Sequence, residues 1–266
     1  MIQTVTASSF QMDYLSFGKG KRAFVILPGI SVKPVFSAET ALTAAFDAFT
    51  KDYTVYVFER RRDLPADADV SLMAEDTAEA MKALGLDNAD LFGASQGGMM
   101  ALLLAARHPD LARRAVLCST YLCANEASDV HFDRWTALAR NGRAGELDRD
   151  MTEHLYSPAF QKRYADLLLS KEGEGTAEEL RRFAVLSNAC TTFSAAEEVR
   201  NIRCPTLTVA ARGDRVIPYT CSAALARELH GELFLYDGYS HAVYDEAPNF
   251  RPRMLAFFKT DAKSLL

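Results

Sequence analysis

A serine lies in a glycine-rich turn whose spacing suits a nucleophile. Ser95 stands in Gly-Ala-Ser-Gln-Gly-Gly, residues 93–98, between a short segment that ends in apolar residues (88–92) and a run of strong helix formers (99–107). Glycines two residues to either side of the serine let a strand and a helix close together on a sharp turn that exposes the hydroxyl. This context favours a nucleophile over an idle serine in a strand–helix turn.

The residue after the serine opens the predicted helix. The first N–H groups of a helix lack partners within it, and the helix dipole is positive at that end, so both suit a developing negative charge. The backbone N–H of Gln96 is therefore a candidate donor to an oxyanion. Together with Ser95 it indicates acyl transfer.

A serine nucleophile needs a base, and His241 is the best placed of the five histidines. It stands in Gly-Tyr-Ser-His, directly after the last predicted strand, 232–236. That position is the carboxyl edge of a parallel sheet, where Ser95 also lies. The alternative is a solvent-exposed loop histidine. The remaining histidines precede a helix-breaking proline, fall in a helical stretch or end an exposed helix: His108, His131, His154 and His230.

Three aspartates compete to orient this histidine. Asp214 directly follows the predicted strand 206–211 and so lies at the same edge of the sheet. Asp237 ends its own strand, from which its side chain can point away, and Asp245 starts the last connection. We favour Asp214 as the acid of the site, with the other two as alternatives.

Composition limits the classes of function. The chain has 266 residues, 49% hydrophobic and 24% charged, with a net charge of −5. There is no basic surplus to attract nucleic acid. The N-terminus lacks the features of a signal peptide, and the longest fully apolar run, 99–106, is far below the roughly 20 residues that span a bilayer. We expect a cytoplasmic protein with no membrane span and no nucleic-acid partner.

The cysteines favour neither a disulfide framework nor a zinc site. Their number is odd and no Cys-x-x-Cys occurs, so reduced thiols are the preferred interpretation. A reactive thiol at Cys221, near the predicted site, is the alternative. The five are Cys118, Cys123, Cys190, Cys204 and Cys221.

The predicted elements alternate in the way that builds a parallel sheet covered by helices on both faces. Strands are predicted at 22–27, 53–58, 114–118, 206–211 and 232–236, and helices at 39–49, 70–84 and 219–229. Between about 122 and 197 the pattern is helical throughout. We therefore predict a core domain of residues 1–121 and 198–266, and a helical cap, or lid, of residues 122–197.

These motifs resemble those of the α/β-hydrolase family over nearly the whole chain. The turn around Ser95, the Gly-Asp-Arg-Val-Ile-Pro loop around Asp214 and the Gly-Tyr-Ser-His segment occur in the family's order of serine, acid and histidine. The resemblance implies a backbone N–H from Ile30 as second oxyanion donor, in the sequence Leu-Pro-Gly-Ile. Pro28 replaces the histidine that is common there, which leaves donation by the backbone possible.

A second departure follows the predicted strand 53–58. Many members of the family carry Asp-x-Arg-Gly there, whereas this chain has Glu-Arg-Arg-Arg-Asp at 59–63. The three arginines could attract an anionic substrate. A solvated loop is the preferred interpretation.

The favoured activity is hydrolysis of a small-to-medium carboxylic ester through an acyl-enzyme, with a small-molecule acyl substrate and no cofactor or metal. Lactone, thioester and carbon–carbon bond hydrolysis use the same triad and stay open. A ligand-binding protein on a hydrolase scaffold is the alternative from another class. The sequence does not indicate an oligomeric state.

Overall fold

The computed structural model describes residues 2–169 and 173–260, and eight strands of this part form one sheet. The strands are β1 Ile2–Thr6, β2 Gln11–Gly18, β3 Arg22–Leu27, β4 Tyr53–Arg61, β5 Ala89–Ala94, β6 Ala112–Cys118, β7 Thr206–Ala211 and β8 Glu232–Tyr236.

The sheet is mostly parallel, as the alternating pattern predicted. Its order is β1-β2-β4-β3-β5-β6-β7-β8. β1 pairs antiparallel with β2, and β2 with β4, whereas every pair from β4 across to β8 is parallel. The prediction of an α/β fold with a mainly parallel central sheet is confirmed.

Helices connect the parallel strands, and several begin at a residue whose side chain caps the first turn. Asp69 accepts a hydrogen bond from Leu72 N at 2.7 Å, and Thr176 forms a capping box with Glu179. The helices of the described residues are α1 Glu39–Ala45, α2 Val70–Ala83, α3 Gln96–Arg107, α4 Glu126–Arg140, α5 Ala144–Leu155, α6 Pro158–Arg163, α7 Ala165–Leu169, α8 Ala177–Cys190, α9 Tyr219–Glu228, α10 Val243–Glu246 and α11 Phe250–Lys259.

Two elements at the start of the chain differ from the prediction. β1 was not predicted, because its five residues are mostly exposed and stay in place through pairing with β2. The helix predicted at 39–49 ends at Ala45, and a 3₁₀ turn, Asp47–Phe49, follows it. Phe46 and Phe49 are buried, so their helical spacing in the sequence reflects packing beyond the end of the helix.

Alternate side chains of the strands enter two apolar clusters on opposite faces. In β3, Phe24 and Ile26 pack with residues of α11, while Val25 and Leu27 pack with residues of α2 and α3. The cluster that contains Val25 and Leu27 continues into residues of α4 and α8. None of the helices in residues 2–169 and 173–260 is both long and apolar enough to cross a membrane.

The end of β3 approaches the backbone of the first turn of α3 very closely. A Cβ atom on Gly97 would lie 1.9 Å from the carbonyl oxygen of Leu27 and 2.7 Å from that of Pro28. A methyl group cannot fit in that space, so Gly97 permits this approach. The glycine spacing of the turn therefore has a steric cause.

We expect Gly97→Ala to reduce the free energy of unfolding by about 3 kcal/mol or more, because the collision is with backbone that cannot rotate away. Urea unfolding followed by circular dichroism measures the loss. Gly142→Ala is a matched control: its φ is +69°, and apart from its chain neighbours no heavy atom of the described residues lies within 4 Å of the added Cβ. It should lose only about 1–2 kcal/mol, the cost of the left-handed backbone. Equal losses would contradict the steric explanation.

Candidate active site

Ser95 occupies a strained turn between β5 and α3. Its φ is +53° and its ψ is −121°, a conformation that non-glycine residues rarely adopt. Its N–H donates to the carbonyl of Cys118 at 2.9 Å, and its carbonyl accepts from Gly98 N at 2.9 Å. Contacts on both sides of the residue thus fix the turn. Such strain is typical of a residue that the surrounding structure holds for function.

The loop after β3 lies directly against this serine. A Cβ on Gly29 would be 3.3 Å from Ser95 Cβ and 3.9 Å from its Oγ. Ile30 is the next residue of the loop, and Gln96 is the first residue of α3. Within residues 2–169 and 173–260, neither backbone N–H donates to another protein group. Both N–H groups thus stay available on segments that adjoin Ser95.

Asp214 and His241 form a buried pair at the ends of two neighbouring strands. Asp214 follows β7 and His241 follows β8, and Nδ1 of the imidazole is 3.0 and 2.9 Å from the two carboxylate oxygens. The carboxylate also accepts from Val216 N and Ile217 N, each at 2.9 Å. A carboxylate at this distance favours the tautomer that carries its proton on Nδ1, in which Nε2 is an acceptor. The pair has the geometry that a histidine base needs.

The two competing aspartates have other partners. Asp237 is exposed and forms an ion pair with Arg212 at 3.2 Å. Asp245 accepts from Arg251 at 3.3 Å. Neither contacts His241 in the part of the chain that the structure describes. The structure brings only Asp214, of these three, to the histidine.

Ser119 links the histidine loop to the serine turn. Its hydroxyl donates to the carbonyl of His241 at 2.7 Å, and the preceding residue, Cys118, accepts the hydrogen bond from Ser95 N. The end of β6 thus holds both residues. Across the described ranges, Ser95 Oγ makes no hydrogen bond to His241. Hydrogen bonds of this kind are often long before substrate binds and tighten afterwards.

The C-terminal carbonyls of α5, residues 153–156, bind the two loops that carry Asp214 and His241. Arg215 donates to the carbonyls of residues 153 and 156. The hydroxyl of Ser240 donates to the carbonyl of residue 154 at 3.0 Å, and Ala242 N to that of residue 155 at 2.8 Å. The last carbonyls of a helix have no partner within it, so these loops satisfy them. No sequence signal pointed to this contact, because any polar residue could have supplied it.

Two further histidines lie in the helices between β6 and β7. The rings of His131 and His154 are 4.6 Å apart, and His154 Nδ1 is 2.7 Å from the carbonyl of Asp150. Burial lowers the pKa of His131, and the neighbouring His154 lowers it further. Both effects favour the neutral form of His131.

The arginines after residue 58 do not form a solvated loop, and that interpretation is wrong. β4 extends to Arg61, whose Nε donates to Asp76 at 2.6 Å. Arg60 is 3% exposed, so its side chain lies inside the protein. Arg62 alone is on the surface, where it pairs with Asp13 at 2.7 Å. Arg60 and Arg61 donate hydrogen bonds to partners distant in sequence, which the local run of charged residues could not indicate.

Cys221 lacks the environment of a reactive thiol. It is half-buried, and burial raises the pKa of its thiol. The thiolate that reacts is therefore disfavoured.

Comparison with known proteins identifies the family of this chain. The sequence model described as "Alpha/beta hydrolase family" matches residues 24–251. A protein of Rhizobium rhizogenes named "Putative carbamate hydrolase RutD" is 29% identical over 223 residues, 80% of this chain and 85% of the relative. Its namesake in Agrobacterium fabrum is 30% identical over 203 residues, 73% and 76% of the two chains.

Solved structures agree on the fold. The alpha/beta hydrolase MGS-M2, from a Medee basin deep-sea metagenome library, has a TM-score of 0.87 at 22% identity over 97% of this chain and 98% of its own. The enol-lactonase of Burkholderia xenovorans has a TM-score of 0.83 at 17% identity, with 97% and 100% coverage. Because the family model spans most of the sheet and the segments that carry the site, the chain belongs to the alpha/beta hydrolase family.

Proposed function

We propose that this hydrolase cleaves a small-to-medium carboxylic ester through an acyl-enzyme on Ser95. The observation that carries the proposal is the buried Asp214–His241 pair at the edge of the sheet where Ser95 occupies its strained turn. His241 Nε2 takes the proton of Ser95 Oγ as Oγ attacks the carbonyl carbon. The N–H groups of Ile30 and Gln96 donate to the resulting oxyanion, and Asp214 stabilises the imidazolium.

Collapse of this intermediate completes the first half of the reaction. The C–O bond to the alcohol breaks, and His241 gives its proton to the departing oxygen. Water then attacks the acyl-enzyme, with His241 again taking a proton, and the acid leaves as Ser95 regains its hydrogen. The chemistry is complete with these protein groups and water.

A carbamate is the second candidate substrate. The relatives from Rhizobium and Agrobacterium, similar over 80% and 73% of this chain, carry that substrate in their name. A carbamate presents the same trigonal carbonyl to Ser95, but its nitrogen donates electrons and makes the carbon less electrophilic. Lactones, thioesters and carbon–carbon bonds activated by a carbonyl complete the set to be tested.

We expect Ser95→Ala to lower ester turnover by about 10³-fold or more and to leave the fold intact. The assay is a panel of p-nitrophenyl esters of graded chain length, with lactones, acyl-thioesters and a carbamate alongside. A fluorophosphonate probe should label the parent protein and not the variant. Unchanged turnover in Ser95→Ala would show that another residue is the nucleophile. If the parent protein is not labelled and turns over none of the substrates, a ligand-binding protein is favoured instead.

Asp214→Asn should lower kcat by at least about 10²-fold, since an amide can favour the wrong histidine tautomer and supplies no charge. Asp237→Asn and Asp245→Asn are matched controls, because neither carboxylate contacts His241. The three variants should be compared on one ester at one pH, with circular dichroism as the check on folding. If Asp245→Asn loses activity while Asp214→Asn stays active, Asp245 and not Asp214 is the acid of the triad.

We also propose that residues 122–197 form a cap built onto the core of residues 1–121 and 198–266. The two ends of this segment bind each other: Ala124 N donates to the carbonyl of Phe193 at 2.8 Å, and Ala195 N to that of Leu122 at 2.9 Å. The segment thus enters and leaves at one place. Its α5 carbonyls accept hydrogen bonds from the Asp214 and His241 loops, so the cap contributes to the geometry of the site.

Ser240→Ala tests this support. Its one hydroxyl hydrogen is shared between the carbonyl oxygens of His154 and Gly213, which lie 3.0 and 3.2 Å from Oγ, in a residue that is 2% exposed. We expect a loss of about 1–3 kcal/mol in the free energy of unfolding, because buried carbonyls lose their partner. Ser37→Ala, which removes an exposed hydroxyl bound to Pro34 O at 2.8 Å, should change it by less than about 0.5 kcal/mol. A loss no larger than this control would contradict the support.

A further inference from the structure

The buried guanidinium of Arg60 bridges the two segments that carry the proposed oxyanion donors. Its Nη2 donates to the carbonyl of Pro28 at 2.8 Å and to the side-chain Oε1 of Gln96 at 2.8 Å. Pro28 begins the loop that leads to Ile30, and Gln96 opens α3. One side chain therefore fixes the separation of the loop from the helix.

This cation is incompletely paired. The nearest carboxylate, that of Glu59, is 3.8 Å from Arg60 Nη1, and it already accepts Val35 N and Arg60 N, each at 3.0 Å. Within the described residues Arg60 Nε is buried with no partner. A buried charge with so few partners reduces stability compared with an apolar side chain of similar size. Packing alone therefore does not account for an arginine at this position.

The Gln96 side chain extends the bridge into the cap. Its Nε2 donates to the carbonyl of Leu186 at 2.6 Å, in α8. Arg182, on the same helix, donates to the carbonyls of Arg60 and Arg61 at 3.0 and 2.8 Å. One continuous set of hydrogen bonds thus joins four segments: the Pro28–Ile30 loop, the turn at Ser95 and Gln96, the end of β4, and α8.

We propose that Arg60 is a positioning residue for the oxyanion hole: it holds the Pro28–Ile30 loop against the Gln96 turn at the separation at which both N–H groups reach one oxygen atom. This inference rests on the proposed function. Among the described residues, the Arg60 side chain donates hydrogen bonds to Pro28 and Gln96 alone, and it acts through them. Oxyanion donors contribute when they are held in place before the reaction, so a loosened loop weakens the transition state more than the ground state.

Arg60→Met tests the proposal, since it keeps the volume and removes both hydrogen bonds. We expect kcat on a p-nitrophenyl ester to fall by about 10- to 100-fold, while KM changes by less than about 3-fold. This loss is smaller than the decrease in kcat of about 10²- to 10³-fold that follows removal of a whole oxyanion donor. Affinity for a trifluoromethyl ketone, which forms the tetrahedral adduct on Ser95, should fall by a similar factor. Arg62→Met is the matched control. It breaks exposed contacts with Asp13, Gln11 and Thr4, none of which the proposed site uses, and it should stay within about 2-fold.

Gln96→Met provides the second variant. It removes the Oε1 acceptor and keeps the backbone N–H, so it should lower kcat by about 10-fold, and Arg60→Met should cost less on this background than alone. The same readouts on Arg60→Lys and Gln96→Met decide the matter if Arg60→Met does not fold. Three results would overturn the proposal. The folded variants could keep the parent's kcat and ketone affinity, they could change KM alone, or the losses in kcat of Arg60→Met and Gln96→Met could be additive.

The two proposals fail in different ways. If Ser95→Ala keeps the parent's turnover, the proposed nucleophile is wrong, whatever the Arg60 variants do. If Ser95→Ala abolishes turnover while Arg60→Met retains kcat and ketone affinity, the triad stands and the positioning role of Arg60 is overturned.

Discussion

The close approach of the β3 end to the first turn of α3 governs the arrangement of the site. At Gly97 the two backbones are nearer than any side chain would allow. This contact brings the loop after β3 against Ser95. The backbone N–H groups of that loop therefore lie near the N–H groups that open α3. Because the sheet is parallel here, the loops after β6, β7 and β8 reach the same edge. The site is thus assembled from strand ends that the sheet already aligns.

The helices between β6 and β7 are part of this arrangement. Their apolar residues, among them Phe132, Trp135 and Phe183, are in the same buried cluster as α2 and α3. Their polar contacts reach the site from two sides, through the α5 carbonyls on the Asp214 and His241 loops and through α8 on Gln96. A movement of these helices that opened the site would therefore also disturb its geometry.

The sequence predicted the sheet and the residues at its edge because both depend on local patterns. Strand ends in a parallel sheet meet at one edge, so a position directly after a strand was enough to select Asp214 and His241, and the structure brings these two together. The strand β1 and the buried Arg60 were missed for different reasons. β1 pairs with the neighbouring β2, but four of its five residues are exposed, so no apolar alternation marks it. The partners of Arg60 lie 32 and 36 residues away, and no run of neighbouring residues records such a partner.

Arg60 also shows why an arginine suits such a position. A lysine presents a single ammonium group, whereas the planar guanidinium offers several N–H groups at fixed angles and loses less freedom when it bridges two acceptors. The acceptors here, the Pro28 carbonyl and the Gln96 amide oxygen, are neutral, so the cation is held without being neutralised. Its effect on the reaction in the proposed positioning role therefore goes through the two segments that it holds together, because oxyanion donors contribute when they are fixed in place before the reaction. A charge that reduces the stability of the folded protein can in this way support the transition state.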